Sequence, residues 1–121
     1  CPTDLYYNAT AEKERCDQPN SPLYQLLGGK PSERLDMAKL ASATAHVTKD
    51  DPPVIVLYGT EDKSLVKPLH GQRLKALYDE AGLDATYLLI EGAGHGGPQY
   101  RDKERSKLIL DMLAKTLRPA K

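Results

Sequence analysis

The chain has 121 residues, room for at most one domain, and its 17 Lys and Arg balance 17 Asp and Glu to a formal charge of zero. That balance provides neither a basic stripe for nucleic acid nor an acidic tail of a disordered module. The apolar runs are far too short to cross a bilayer, and no charged start, apolar core and cleavage site opens the sequence.

In chain order, residues 1–32 are polar and broken by Pro19, Pro22, Gly28, Gly29 and Pro31. They read as loop with a short helix around Ala9 to Arg15 and a further turn around Leu23 to Leu27. Ser32 is placed to N-cap a helix from about Glu33 to Ala41, with Glu33 in its first turn. Pro52-Pro53 stops any helix and leads into a first strand. Val54 to Tyr58 is continuous, apolar and β-branched, the pattern of a strand buried on both faces of a parallel sheet. From Leu69 to Ala81 the period becomes helical, with Leu74, Leu77, Tyr78 and Ala81 on one stripe and Gly82 as the left-handed stop. Thr86 to Ile90 is a second buried strand. Tyr100 to Leu117 is a helix whose stripe is Leu108, Ile109, Met112, Leu113, Thr116 and Leu117, and Pro119 ends it. The chain therefore divides into a loop-rich helical segment (1–48) and a strand–helix–strand–helix segment (49–121). The fold class is α/β, with two parallel strands and flanking helices. A parallel pair is not a stable sheet by itself, so the chain reads as the last third of a larger domain.

Chemistry gathers after the two strands. Gly59-Thr60-Glu61-Asp62 follows the first and Glu91-Gly92-Ala93-Gly94-His95-Gly96 the second. Parallel neighbours lie about 4.8 Å apart, so a strand–helix–strand crossover delivers both loops to one sheet edge. An acid and an imidazole arriving there are the orienting and proton-transferring parts of a catalytic triad. Spacing alone does not choose between Asp62 and Glu61. Asp50 and Asp51 precede the strand and belong at the opposite edge. His70, near the start of the crossover helix, reads as solvent-exposed, and His46 as structural.

Other chemistries fit less well. Gly92-Ala93-Gly94-His95-Gly96-Gly97 matches G-x-G-x-x-G, but a dinucleotide fold needs a further strand with an acidic end, and here one helix follows. The glycines serve instead to turn the backbone and to hold an imidazole without crowding. Cys1 and Cys16 have no second cysteine at metal-site spacing and the three histidines are scattered, so no zinc site is expected. Two free thiols are the simpler reading of the pair, with a disulfide the alternative. No G-x-S-x-G nucleophile elbow is present, and Ser21, Ser32, Ser42, Ser64 and Ser106 lie in loops, at a cap or on the final helix.

Asp51-Pro52-Pro53-Val54-Ile55-Val56-Leu57-Tyr58-Gly59-Thr60-Glu61-Asp62 resembles the seventh-strand signature of α/β-hydrolase esterases, and Gly92-Ala93-Gly94-His95-Gly96 resembles their histidine loop. The nearest group is the acetyl-esterase, acetylxylan-esterase and feruloyl-esterase-like lipases. Ser21-Pro22-Leu23 to Leu27-Gly28-Gly29 and Cys1-Pro2-Thr3-Asp4-Leu5 also have counterparts there, so the resemblance covers nearly the whole chain. There are three departures. Tyr58 stands where His is frequent, Cys1 stands where Gly is usual, and the acid loop Lys63-Ser64-Leu65-Val66-Lys67-Pro68 is one residue longer.

The resemblance implies the C-terminal part of an α/β-hydrolase, with Asp62 as triad acid and His95 as general base. The nucleophile would lie upstream of this chain, in the N-terminal part of the same domain. It further implies a small ester as substrate, an acylated carbohydrate among the candidates, with no cofactor and no metal. The chain alone is then expected to be inactive. A prolyl-oligopeptidase-type peptidase and a non-catalytic hydrolase-like fragment are the alternatives.

Overall fold

The computed structural model describes residues 2–64 and 67–117. Cys1, Leu65, Val66 and residues 118–121 lie outside them, and with these the Cys1–Cys16 pairing, part of the lengthened acid loop and the stop at Pro119. The chain forms two units, Cys1–Val47 and Thr48–Lys121.

The first unit is helical. Asp4 opens α1 (Leu5–Ala11) by accepting a hydrogen bond from the Tyr7 amide at 2.8 Å. A short α2 (Lys13–Cys16) follows, so the single helix expected over Ala9 to Arg15 starts earlier and breaks at Glu12. The Asp4 cap sets the earlier start. In α3 (Pro22–Leu27), Ser21 caps, Pro22 fills the first turn and Gly28 takes the left-handed exit at φ 70°.

Ser32 does not cap the next helix. Its hydroxyl and amide both donate to Asp17 instead, the amide at 3.0 Å. A 3₁₀ turn therefore occupies Pro31–Glu33, and α4 (Leu35–Leu40) begins after Arg34. Ser42, buried, accepts from the Leu5 and Tyr6 amides and donates to the Ala38 carbonyl, which ties α1 to the end of α4. Leu5, Ala9, Cys16, Leu23, Leu27 and Ala38 form the core of this unit.

The second unit is a crossover. β1 (Val54–Gly59) runs parallel to β2 (Ala85–Ile90) in a register that pairs Val54 with Ala85 and Gly59 with Ile90. Between them α5 (Pro68–Ala81) starts on Pro68 and ends at Gly82, φ 73°, with the Leu83 amide closing onto the Tyr78 carbonyl. Its buried face is His70, Gly71, Leu74 and Tyr78. His70 is fully buried, contrary to the exposed position expected for it. It lies one turn before Leu74, on the face that meets the sheet.

Gly71 makes that contact possible. A Cβ there would stand 2.4 Å from the Tyr58 ring and 2.6 Å from the Tyr87 ring. Those rings lie side by side, centroids 6.2 Å apart. Tyr58 therefore has a packing role where the resembling family often has His.

Both strands are half-buried over most of their length rather than buried on both faces. Helix α5 covers the face of Tyr58 and Tyr87. The opposite face meets α6 (Lys103–Thr116) across open clefts lined by Ile55, Thr86, Leu88, Leu108 and Met112. No described residue of α6 is fully buried. Arg105, Leu108, Ile109 and Met112 are half-covered, while Leu113, Thr116 and Leu117 of the expected stripe are exposed.

Candidate active site

The parallel ladder does not stop at the strand ends. Beyond β1 the Thr60 amide donates to the Ile90 carbonyl, and the Glu61 amide donates to the Ala93 carbonyl at 2.9 Å. The Gly92 amide donates to Thr60 Oγ1 at 3.0 Å. These bonds lace the two post-strand loops together. They approach so closely that a Cβ on Gly59 would lie 2.1 Å from the Ala93 carbonyl oxygen. Gly59 is fixed by that backbone contact.

The histidine loop is anchored on both sides. Ala93 is fully buried and donates its amide to the Ile90 carbonyl. Tyr100, from the turn before α6, donates its hydroxyl to the Gly94 carbonyl at 2.8 Å. Gly92 and Gly97 have φ of 69° and 138°, backbone that favours glycine. Gly94 and Gly96 face open space, so neither crowding nor a left-handed backbone requires glycine there.

Within this frame Asp62 Oδ2 lies 2.8 Å from His95 Nδ1. The Asp62 side chain is 3% exposed and the imidazole 62% exposed. Glu61 contributes its backbone to the lacing, but the residue is exposed and the carboxylate at His95 is that of Asp62. Ser64 joins them. Its amide donates to Asp62 Oδ1 at 2.8 Å, and its Oγ lies 3.2 Å from His95 Nδ1. In the sequence Ser64 is only one of several loop serines. Its spacing two residues after the acid is that of an Asx turn, which is the signal that marks it.

Burial pushes the Asp62 carboxyl up, but the Ser64 and His95 hydrogen bonds outweigh it and hold the group below its ordinary value. Asp62 is therefore an anion at neutral pH. An imidazole whose Nδ1–H is held by a carboxylate keeps its Nε2 lone pair for a proton. The pair has the geometry that an oriented general base requires.

The remaining polar candidates have local roles. Asp51 accepts from Thr48 in the turn before β1, His46 Nε2 lies 2.6 Å from the Leu40 carbonyl, and Ser106 donates to the Arg101 carbonyl. Among the described residues Cys16 is a free, buried thiol. Burial, then the Glu12 and Asp17 carboxylates, push its pKa above the ordinary thiol value, which disfavours the nucleophilic thiolate. Among the described residues no helix is long and apolar enough to cross a membrane, and no cluster of three or more His, Cys, Asp or Glu is poised to hold a metal.

Comparison with known proteins adds a family and a structural neighbour of the same kind. The BD-FAE family model matches residues 1–77. Among solved structures, a truncated form of a carbohydrate esterase from gut microbiota is 31% identical, with a TM-score of 0.78 over 95% of this chain. The chain spans 39% of that protein's length. No curated protein matches it.

Proposed function

The chain belongs to the BD-FAE family of feruloyl-esterase-like α/β-hydrolase domains, and from that premise we propose that the complete protein is a serine carboxylic-ester hydrolase, with Asp62 and His95 as its triad acid and base. The observation that carries the reading is the 2.8 Å bond between Asp62 Oδ2 and His95 Nδ1 at the edge where both strands end. The substrate is a small ester, with acylated carbohydrates the favoured class because the solved relative is a carbohydrate esterase.

A serine outside this chain attacks the ester carbonyl while His95 Nε2 takes its proton. Asp62 holds the tautomer and stabilises the imidazolium. His95 then protonates the leaving alcohol, and water repeats the cycle on the acyl-enzyme. Backbone N–H groups of the same outside segment hold the oxyanion, a contribution of roughly 3–4 kcal/mol per donor. The lack of G-x-S-x-G in this chain and the greater length of the solved relative support placing nucleophile and oxyanion donors there.

The test compares the protein from the full reading frame with this chain alone. The complete protein should hydrolyse a short-chain nitrophenyl ester and lose activity to a serine-directed phosphonate. The chain alone should turn over nothing. Phosphonate-sensitive turnover by the chain alone would contradict the proposal. So would a complete protein that cleaves peptides after proline but no ester.

A further inference from the structure

We propose that Ser64 is a positioning residue for the Asp62–His95 pair, its amide fixing one oxygen of the carboxylate and its hydroxyl fixing the imidazole edge that faces the acid. The inference rests on the triad reading of that pair and goes beyond it.

The geometry is specific. The two oxygens of Asp62 have separate partners, Oδ1 the Ser64 amide and Oδ2 the imidazole, both at 2.8 Å. A carboxylate held at one oxygen only can rotate about its terminal torsion, which is broad. Held at both, it keeps Oδ2 turned to Nδ1. Ser64 Oγ, at 3.2 Å, is a second and longer neighbour of the same Nδ1. It limits the swing of a ring that is otherwise 62% exposed in a glycine-rich loop. The hydroxyl also helps to keep Asp62 ionised.

Ser64 is not the nucleophile. It meets the imidazole at Nδ1, the nitrogen already bound to Asp62, whereas a nucleophile must give its proton to Nε2. Its place beside the acid has a different consequence. Without the Ser64 hydroxyl, Asp62 is the ring's one hydrogen-bond partner left among the described residues, and the base drifts from the attacking oxygen. Small misplacements of a catalytic group are costly in rate. They leave substrate binding unchanged where the group does not itself bind substrate.

The test uses the complete protein and four variants, with an aryl ester as probe and thermal unfolding as a check of folding. Ser64→Ala keeps the amide and removes only the hydroxyl. It should lower kcat about tenfold, the scale of one hydrogen bond to a charged group, with KM unchanged. Ser64→Thr restores the hydroxyl and should recover most of the loss. Ser64→Pro removes the amide as well and should lose more than Ser64→Ala. His95→Ala tests the parent reading separately.

Inactivity of His95→Ala together with wild-type kcat in Ser64→Ala would overturn the role of Ser64 and leave the triad standing. Full activity of His95→Ala would overturn both. Covalent labelling of Ser64 by a phosphonate would make it the nucleophile and overturn the proposal. A Ser64→Ala loss that Thr does not recover would assign the effect to packing and overturn it too.

Discussion

Asp62 is held where burial and hydrogen bonding pull its ionisation in opposite directions, and the hydrogen bonds win. The sign has a consequence for stability. A carboxyl whose folded-state pKa lies below its unfolded value stabilises the fold above the ordinary Asp value, about 3.9. That contribution fades as pH falls through the lower folded value. In the complete protein, Asp62→Asn should therefore be less stable than wild type at pH 7, with the gap closing in acid. Urea titrations from neutral pH down into the carboxylate range read this directly, and a gap that widens in acid would be the wrong sign. Gly59 gives a second residue-scale prediction. Gly59→Ala pushes a methyl into the Ala93 and Gly94 carbonyls. It should cut turnover by separating the acid loop from the histidine loop, whereas Gly96→Ala, in open space, should keep near-normal activity.

At the scale of elements, the packing of α5 on the sheet decides the geometry. Gly71 fits between the helix and two tyrosine rings. Gly71→Ala gains up to about 1 kcal/mol of helix propensity but overpacks that interface, at a cost of about 1–3 kcal/mol. Net destabilisation is expected, and a raised midpoint in chemical denaturation would refute the tight fit. The strands and the crossover helix are legible in the sequence because their signals are local: a β-branched run after Pro52-Pro53, a helical stripe, and Gly82 at the stop. The burial of His70 is not legible, because it depends on the helix rotating His70, Gly71, Leu74 and Tyr78 onto the sheet, a tertiary fact. Ser32 escapes sequence reading for a related reason. A serine before an acidic residue signals a cap, but Asp17, fifteen residues away, takes its hydrogen bonds. That the Asp62 carboxylate and not that of Glu61 meets His95 accompanies a tight turn, with the Asp62 amide returning to the Gly59 carbonyl at 3.3 Å, which spacing does not resolve.

On the scale of the whole molecule, β1 has one neighbouring strand among the described residues. A two-stranded sheet is marginal in water and a free edge invites pairing. The amides of Val54 to Tyr58 should therefore exchange slowly in the complete protein and faster in this chain alone, which should also tend to self-associate. Equal protection in a stable monomer of the chain would show that the two strands suffice. The membership of the chain in an esterase-like α/β-hydrolase family is legible from two loops because each combines a strand signature with a chemical residue at its end.

The central claim is that Asp62 and His95 act together as acid and base, and paired substitutions in the complete protein test it most directly. His95→Ala should remove nearly all ester turnover and still fold. Asp62→Asn should lower kcat by a factor on the order of 10⁴, as for a triad aspartate that holds the histidine tautomer. Glu61→Gln, at an exposed position that gives the ring no carboxylate, should change turnover little. Measured kcat values in that order are the predicted result. Equal losses at Glu61 and Asp62, or near-wild-type turnover without His95, would contradict it.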